Sequence, residues 1–499
     1  MVHISRRTLL KGAAALGGTL ALPMRSSAQS TPQHTLTVGT RTLDIRGRAA
    51  TVYGITNDAG ETGLVLPVGA PFDVRVLNTL ADPTVIHWHG LTPPVAFDGS
   101  NVSQVPIATG GMHDYLFDLK RPGTHWMHSH FGLQEAQLLA APLIVETAED
   151  ASADRQAVTI LLHDFSFTAP EEILAGLKAE PMALIGSGAA AMNMGMVRGG
   201  NGSMAGMDHS NMDMGNMQGM DGSGMTMAGM PMDLNDVGFD AFLANDRDLS
   251  DPEIVQVEKN SQVRLRIINA GSSSNFWIDT GNLPGRLVAV DGMDISPIGG
   301  TRFEIAMAQR LDIDVSIPAN GGAYPILAQL EGGKDRTGIV LASASAKIDR
   351  ISDTADVTAP PVLLDLERQL LATDGLKPKS ADAALTIDLT GDMSSYTWGI
   401  SGKSFADRDP VEVVAGQRVE ITMRNQTMMS HPMHLHGHHF QVVGLGRARL
   451  SGAMRDTVLV PAMESVTIAF DANNPGEWPL HCHNMYHMAA GMMTTVEYV

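Results

Sequence analysis

The sequence predicts an all-β protein of three sandwich domains, and two repeated patterns carry this prediction. The first is a ten-residue stretch of alternating apolar and polar residues that ends in asparagine, found at residues 69–78, 260–269 and 416–425. The second occurs as PGTHWMHSH (122–130), GAYPILAQ (322–329) and PGEWPLHCH (475–483). Alternation between Gly, Pro and Asn turns is typical of strands that bury one face. Three copies of one unit indicate three antiparallel β-sandwiches of related design.

The repeats also divide the chain. We expect an export signal at residues 1–28 and β-domains at 34–148, 149–350 and 351–499. A methionine-rich stretch at 192–232 reads as an insertion in the middle domain, because it precedes further strand-like sequence without a second set of repeats.

Bulk composition excludes several functions. The formal net charge is −20, so nucleic acid is not an expected partner and cations are. After the export signal, no apolar run is long enough for a membrane span. A single cysteine excludes an internal disulfide framework. We expect a monomer.

The N-terminal segment reads as an export signal. SRRTLLK (5–11) places two arginines before the apolar GAAALGGTLALPM, and the small residues Ser26, Ser27 and Ala28 suit cleavage near Ala28. This pattern predicts the twin-arginine export machinery and a periplasmic protein. The alternative is an ordinary secretory signal with a chance arginine pair.

Alignment of the three copies shows where histidines have been added. Nine residues after the terminal asparagine, the first and third copies begin His-x-His at His87 and His434, whereas the middle copy has Ile278. The second pattern ends in HSH in the first copy and in HCH in the third, but in LAQ in the middle copy. The outer domains therefore carry two His-x-His pairs each, and the middle domain carries none.

The third copy has further ligand-type residues around its only cysteine, Cys482: His431 upstream, and His487 and Met492 downstream. The corresponding residues of the first domain are Thr84, Ser129, Gln134 and Leu139. One thiolate and two imidazoles with a weak thioether are the ligands of a blue, electron-transferring copper centre. Zinc would prefer a closed tetrahedral set of ligands, and one cysteine cannot build a cysteine-rich zinc site. The remaining alternative is a buried structural thiol.

The eight paired histidines predict a second centre. Residues i and i+2 of a strand share a face, so each pair can direct two imidazoles to one place. Eight imidazoles suit three copper ions between domains one and three, whereas one such pair alone would more often be a surface feature. The pairs are His87/His89, His128/His130, His434/His436 and His481/His483. HCH then places Cys482 between two ligands of the histidine cluster. An electron can therefore pass from the Cys482 sulfur to that cluster through a few covalent bonds of the chain.

These motifs resemble those of a known family. HWHG, HSH, HPMHLHGH and HCHNMYHMAAGM look like the four copper signatures of the multicopper oxidases, and the resemblance covers nearly the whole mature chain. FDAFLANDRDLSDPEIVQVE and MMSHPMHLHGHHF look closest to the bacterial periplasmic copper-resistance oxidases. The resemblance implies three cupredoxin-like Greek-key domains and four copper ions: one type 1, one type 2 and two type 3.

The resemblance also implies the ligands and the reaction. The type 1 ligands are His431, Cys482, His487 and Met492. The type 2 ligands are His87 and His434. One type 3 ion takes His89, His128 and His483, and the other takes His130, His436 and His481. Family members take electrons one at a time at type 1 and reduce O2 to two waters at the cluster.

Reduction of O2 needs protons as well. Asp98 in PPVAFDG matches the family carboxylate near type 2 copper, although an aspartate before glycine is also a common turn residue. Several relatives carry a second acid directly after the position of His487, where this chain has Met488. The proton donor to the type 3 side is therefore not identified by the sequence.

The stretch at 192–232 contains 13 methionines among Gly, Asn, Ser and Asp. This composition cannot form a packed core, and thioethers are soft ligands that select Cu(I). Candidate Cu(I) ligands are Met207, His209, Met212, Met214, Met217 and Met220, with Met429 near type 1. Relatives specialised for Cu(I) often have an acid four residues before His431, where this chain has Thr427. The alternatives are a linker and a passive copper store.

We therefore predict an enzyme, a periplasmic multicopper oxidase that couples the oxidation of Cu(I), and also of phenolic or other organic reductants, to the reduction of O2 to water and serves copper tolerance. The closest alternative is a laccase-type oxidase of phenols or other small organic reductants. The alternative of another class is a copper-sequestering protein. The sequence does not distinguish Fe(II) or Mn(II) as reductants, and it gives no type 1 potential.

Overall fold

Each copy of the repeated unit folds into a two-sheet β-sandwich in a computed structural model that describes residues 32–179 and 234–499. The strands of the first domain are β1 (His34–Ile45), β2 (Arg48–Thr56), β3 (Leu64–Pro67), β4 (Pro71–Asn78), β5 (Ile86–His89), β6 (Met112–Asp118), β7 (Gly123–Ser129) and β8 (Ala140–Glu146). The strands of the second are β9 (Gln156–Phe165), β10 (Ala241–Ala244), β11 (Ile254–Gln256), β12 (Gln262–Asn269), β13 (Phe276–Asp279), β14 (Gly285–Val290), β15 (Met293–Gly300), β16 (Arg302–Ile305), β17 (Arg310–Ser316), β18 (Ala323–Leu330) and β19 (Arg336–Ala342).

The third domain adds the remaining strands. They are β20 (Ala383–Asp392), β21 (Thr397–Ile400), β22 (Val411–Val413), β23 (Arg418–Asn425), β24 (His431–Leu435), β25 (Phe440–Leu445), β26 (Ala448–Arg449), β27 (Met454–Arg455), β28 (Thr457–Val460), β29 (Ser465–Asp471), β30 (Glu477–Cys482) and β31 (Met493–Tyr498). The α-helices of the described residues are α1 (Ala148–Ser152), α2 (Pro170–Ala179) and α3 (Met485–Ala489). Short 3-10 turns lie at Val95–Phe97, Gln134–Gln137, Glu367–Gln369 and Phe405–Asp407.

The sheet order repeats from domain to domain. In the first domain, one sheet has the order β2-β1-β4-β6 and the other β3-β8-β7-β5, and the third domain repeats this plan with β20-β23 and β22-β31-β30-β24. The all-β prediction is confirmed, but the sheets are mixed rather than purely antiparallel. The pairs β1–β4, β9–β12 and β20–β23 are parallel, as are β3–β8, β11–β19 and β22–β31. Crossing between the two sheets of a sandwich returns the chain beside an earlier strand in the same direction, which strand alternation alone cannot reveal.

The asparagine that ends each first pattern forms the same turn in all three domains. Asn78, Asn269 and Asn425 are buried, and the Oδ1 atom of each accepts the backbone N–H two residues further on. Their Nδ2 groups donate to backbone carbonyls. An Asx turn with both amide functions satisfied fixes the direction of the chain as it leaves the strand. It thereby directs the segment that follows towards β5, β13 or β24.

Two features join the domains near the histidines. The α2 residues Ile173 and Leu177 pack in the same apolar cluster as Cys482 and Met492, so the middle domain's helix lies against the third domain. A buried ionic network provides the second link. Its ion pairs are Glu367–Arg455 at 2.8 Å, Arg455–Asp291 at 3.0 Å and Arg310–Asp456 at 2.5 Å. The network thus joins Asp291 and Arg310 of the middle domain to Arg455 and Asp456, at and directly after the end of β27 in the third domain. Among residues 32–179 and 234–499, no helix has the length and apolar character of a membrane span.

Candidate metal centre

The His-x-His pairs lie on neighbouring antiparallel strands of the two outer domains. In the first domain His87 lies opposite His128 on β5 and β7, and in the third domain His434 lies opposite His481 on β24 and β30. All eight paired imidazoles are buried, and His130 is the most exposed at 7%. They meet between the two domains, where His87 lies within reach of His434 and His436. The structure therefore brings all eight together as one cluster.

One pair of rings at this interface faces nitrogen to nitrogen. The Nε2 atoms of His87 and His434 are 3.4 Å apart. Each ring donates its Nδ1–H to a backbone carbonyl at 2.8 Å, that of Asp98 for His87 and that of Asp456 for His434. The Nδ1 protons fix the tautomer, so two Nε2 lone pairs point at one another. That arrangement favours a cation shared by both rings.

A second group consists of His130, His436 and His481. The Nε2 atom of His481 lies 3.0 Å from that of His436 and 3.4 Å from that of His130. His481 donates its Nδ1–H to the carbonyl of Cys482 at 2.9 Å, and His436 places Nδ1 3.0 Å from Asp98 Oδ2. The outer nitrogens are therefore held by protein acceptors, while the inner ones converge on one point.

The third group consists of His89, His128 and His483, whose ring centroids lie 5.1 to 5.6 Å apart. His89 Nδ1, His128 Nε2 and His483 Nε2 are buried without a hydrogen-bond partner. Buried polar atoms are rarely left unpaired, and an unpaired set needs an explanation such as a bound ion. Three such nitrogens, one from each ring, fit the donor set of a metal ion.

Electrostatics keeps these rings neutral. Burial, and then repulsion between neighbouring imidazoles, lowers the pKa well below its ordinary value in His89, His128, His130, His434, His436 and His483. Burial likewise lowers the pKa of His481 to about 4. A neutral imidazole offers a lone pair to a metal, so the cluster is prepared to bind cations.

The second centre lies around Cys482, at the end of β30. The Cys482 Sγ atom is 3.7 Å from Nδ1 of His431 and 3.7 Å from Nδ1 of His487, and these two nitrogens are 3.1 Å apart. Met492 is fully buried in the same apolar cluster and donates its backbone N–H to the His487 carbonyl. Burial raises the pKa of the Cys482 thiol and lowers that of His431. One sulfur and two neutral imidazoles thus converge, and a thiol so buried needs a cation to ionise.

The positions of the first domain that correspond to the Cys482 centre hold hydrogen-bonded polar residues in place of metal ligands. Thr84 and Ser129 both donate to Gln134 Oε1 at 2.8 Å, and their hydroxyl oxygens are 3.4 Å apart. Gln134 Nε2 also donates to the Pro83 carbonyl. Direct hydrogen bonds satisfy this polar group, whereas the third domain has two imidazoles and a thiol at the same positions. Ligand-type residues were therefore present as a unit in one copy only, as the alignment indicated.

The outer nitrogens of the second centre have partners that the sequence did not identify. Thr427 Oγ1 lies 2.7 Å from His431 Nε2, and Asp236 Oδ2 lies 2.7 Å from His487 Nε2. Burial by itself raises the pKa of Asp236, but His487 and the hydrogen bonds from Tyr396 and Asn484 outweigh burial and lower it. Trp398 lies against the His487 ring, with centroids 4.0 Å apart. Asp236 and Trp398 come from distant segments without a local motif, so sequence reasoning had no signal for them.

Three buried carboxylates surround the cluster. Asp98, a predicted catalytic residue, lies between His436 and the Nδ1 atom of His87, which is 3.4 Å away. Asp456 Oδ1 accepts from His89 Nε2 at 3.0 Å and also pairs with Arg310. Glu135 Oε2 lies 2.6 Å from His128 Nδ1. Asp456 and Glu135 were not identified from the sequence.

The remaining sequence-predicted residues fall into two groups. Met429 is 3% exposed and packs in the apolar cluster of Cys482, whereas its neighbour Met428 is 41% exposed. The N-terminal signal lies outside the described residues. So do the candidate Cu(I) ligands of the methionine-rich stretch, which are Met207, His209, Met212, Met214, Met217 and Met220. Two histidines that follow the His434/His436 pair have partners of their own: His438 bonds to Tyr498, and His439 bonds to the Gly90 carbonyl.

Comparison with known proteins agrees with these centres. Sequence models of the multicopper oxidase family match residues 37–150, 208–346 and 379–499. A model of the twin-arginine translocation pathway signal matches residues 3–23. The chain is 28% identical over 490 residues to multicopper oxidase MmcO of Mycobacterium tuberculosis, which covers 97% of this chain and 91% of that one.

Two further similarities have the same extent. Copper resistance protein A of Escherichia coli is 26% identical over 629 residues, which covers 99% of each chain. The crystal structure of the laccase from Botrytis aclada superimposes with a TM-score of 0.70 at 22% identity, covering 93% of this chain and 87% of that one. Fold and histidine clusters thus define a copper-binding protein of three cupredoxin domains. The chain belongs to the multicopper oxidase family: it is an oxidoreductase that uses O2, and it carries a signal for twin-arginine export.

Proposed function

We propose that this enzyme oxidises Cu(I) to Cu(II) in the periplasm and transfers the electrons to O2, which is reduced to water. The proposed domain limits remain 34–148, 149–350 and 351–499, with cleavage near Ala28 and a monomeric mature protein. Four copper ions are the proposed cofactors, held by the two centres described above.

The donor atoms support one assignment of the four ions. His431, Cys482, His487 and Met492 are the type 1 ligands. His87 and His434, whose Nε2 atoms face each other, are the type 2 ligands. His130, His436 and His481 hold one type 3 ion, and His89, His128 and His483 hold the other. Imidazole and thiolate donors of this kind suit copper.

When bound, copper supplies one-electron transfer at the cysteine centre and a site for O2 at the histidine cluster. The chain supplies the path and the proton-handling groups. Cys482 is bonded through the backbone to His481 and His483, so one strand connects both centres. Asp98 and the Asp456 carbonyl hold the ring protons of His436 and His434 away from the cluster.

The position of Asp236 carries the choice of Cu(I) as the reductant. This residue follows Met232, the last methionine of the tract, by four positions, and its carboxylate contacts His487. On the N-terminal side of the methionine-rich stretch, α2 ends at Ala179. Two residues of α2 pack in the apolar cluster that contains Cys482. Of the two described flanks of the methionine-rich stretch, one contacts a type 1 ligand and the other packs in the apolar cluster that contains Cys482. In the sequence, thioethers that suit Cu(I) thus stand four positions before a carboxylate that attracts cations.

The surroundings of type 1 argue against the laccase-type alternative. His431 and His487 are both fully buried, and their outer nitrogens face Thr427 and Asp236. Trp398 covers the face of the His487 ring. A phenol cannot contact a ligand edge directly in this arrangement, whereas an ion needs only donor atoms near it. The alternative of a copper-sequestering protein does not explain why a complete histidine cluster is joined to Cys482 through the backbone.

Oxygen uptake by the copper-loaded chain and by a chain lacking residues 192–232 tests this proposal, with Cu(I) and with a phenol as reductants. We expect Cu(I) to be the faster reductant, and deletion to slow its oxidation roughly tenfold, equivalent to about 1.4 kcal/mol of activation free energy. Phenol turnover should hold or rise.

A full-length control variant distinguishes the loss of the thioether ligands from the loss of the segment that carries them. It carries Met207→Leu, Met212→Leu, Met214→Leu, Met217→Leu and Met220→Leu, which keep apolar volume but remove the thioethers. It should resemble the deletion with Cu(I) and the intact chain with phenol. Faster phenol oxidation, with Cu(I) oxidation unaffected by deletion, would identify a laccase-type enzyme. No uptake with either reductant would leave sequestration.

A further inference from the structure

Glu135 is a buried carboxyl group without a basic partner of the ordinary kind. It is 2% exposed and follows the vestigial Gln134 on the turn after β7. Two other buried acids near the interface have arginines, since Asp456 pairs with Arg310 and Asp291 with Arg455, whereas Asp98 faces imidazoles as Glu135 does. The groups that face Glu135 in ion-pair range are two imidazoles.

These two imidazoles belong to different domains. Glu135 Oε2 lies 2.6 Å from Nδ1 of His128, on β7 of the first domain. Its Oε1 atom lies 3.6 Å from Nδ1 of His483, which follows β30 in the third domain, and has no hydrogen-bond partner. In both rings the opposite nitrogen, Nε2, is also without a partner. One carboxyl group thus lies behind two rings whose free nitrogens face the same space.

The repeat explains why an acid stands here. In the alignment of the two outer domains, Gln134 corresponds to His487, so Glu135 corresponds to Met488. Met488 offers no charge to the cluster, and the first domain's copy carries the acid instead. Burial of an unpaired carboxylate costs several kcal/mol, so the position is consistent with a cation close by.

We propose that Glu135 is a positioning residue that holds His128 and His483 as ligands of the same copper ion and offsets part of that ion's charge through their rings. The contact with His128 is the closer of the two, and His128 Nδ1 also has the Ser129 carbonyl at 3.2 Å. His483, which joins the cluster across the domain interface, faces Oε1 at 3.6 Å. Partners behind metal-binding histidines orient the rings and raise metal affinity.

Copper binding by Glu135→Gln tests this role. The amide keeps the shape of the side chain but removes its charge. We expect the affinity for one of the four ions to fall about 10- to 100-fold, while the blue absorption of the Cys482 centre persists and reports an intact fold. Glu149→Gln, on exposed α1, is the matched control and should bind all four ions as the wild type does. Unchanged affinity in a blue Glu135→Gln protein overturns the inference.

Two measurements keep the test decisive. If Glu135→Gln fails to fold, Glu135→Asp keeps the charge on a shorter side chain and should show an intermediate loss; wild-type affinity there would contradict the role. In the metal-free wild type, ¹⁵N spectra should show His128 and His483 protonated at Nδ1, and an Nε2–H form of either would overturn it. Because the role rests on the proposed copper assignment, the wild type is measured first. Fewer than four bound ions there would refute the assignment, whereas four ions bound equally by wild type and variant would refute only the role of Glu135.

Discussion

Replacement of Cys482 by serine is expected to abolish both the blue absorption and oxygen uptake with any reductant. The Sγ atom lies 3.7 Å from Nδ1 of both His431 and His487, and a hydroxyl is a hard, weakly acidic donor that cannot replace a thiolate on copper. The same residue joins the two centres through its backbone. Optical spectra, copper analysis and an oxygen electrode measure the effect.

Met492→Leu is the matched control for this substitution, because it removes the weak axial thioether and leaves three strong ligands. It should remain blue and active with an altered potential, since the axial ligand tunes the potential of such centres. The Cys482→Ser chain should lose one copper ion and keep the cluster ions. Blue colour or substantial oxygen uptake in Cys482→Ser would show that Cys482 is a structural thiol.

Asp98→Asn is expected to lower O2 turnover about 100-fold or more, the usual contribution of a positioned proton-transfer group. Asp98 is fully buried, its Oδ2 atom lies 3.0 Å from His436 Nδ1, and its backbone carbonyl accepts from His87. An amide keeps the size of the side chain and the backbone contact but cannot hold the proton in the same way. Steady-state oxygen uptake measures the loss.

The step that slows distinguishes Asp98 from Cys482. In Asp98→Asn, Cu(I) should still bleach the blue absorption at the wild-type rate, while O2 restores it slowly. Asp118→Asn, on the exposed side of β6, is the control and should be unaffected. Wild-type turnover in Asp98→Asn would mean that Asp98 is merely the turn residue before Gly99.

The strands and the positions of the paired histidines were predictable because they recur at fixed spacing. Alternation located β4, β12 and β23, and the Asn that ends each of them forms the same turn. Counting from that residue located His87/His89 and His434/His436, the second repeated pattern located the other two pairs, and the structure gathers all four pairs at one interface. The parallel strand pairs were not predictable, because alternation reports which face is buried and not the direction of a neighbour.

Residues that support the ligands were missed for a different reason. Asp236 reaches His487 across 251 positions of sequence, and Asp456 reaches His89 across 367. Such contacts depend on how the domains pack, which no local pattern encodes. Met429 is near His431 in sequence and is buried in the apolar cluster that contains Cys482, and its role in Cu(I) binding stays a prediction.

The ratio of Cu(I) oxidised to O2 consumed tests most directly whether the two centres act as one oxidase. The copper-loaded chain is mixed anaerobically with excess Cu(I), O2 is admitted, and Cu(II), O2 and peroxide are measured together. Four Cu(I) oxidised per O2, without free peroxide, is the expected result, because the Cys482 strand delivers electrons to a cluster that reduces O2 completely to water. Two Cu(I) per O2 with accumulation of peroxide would contradict it and would show that the histidine cluster does not complete the reduction.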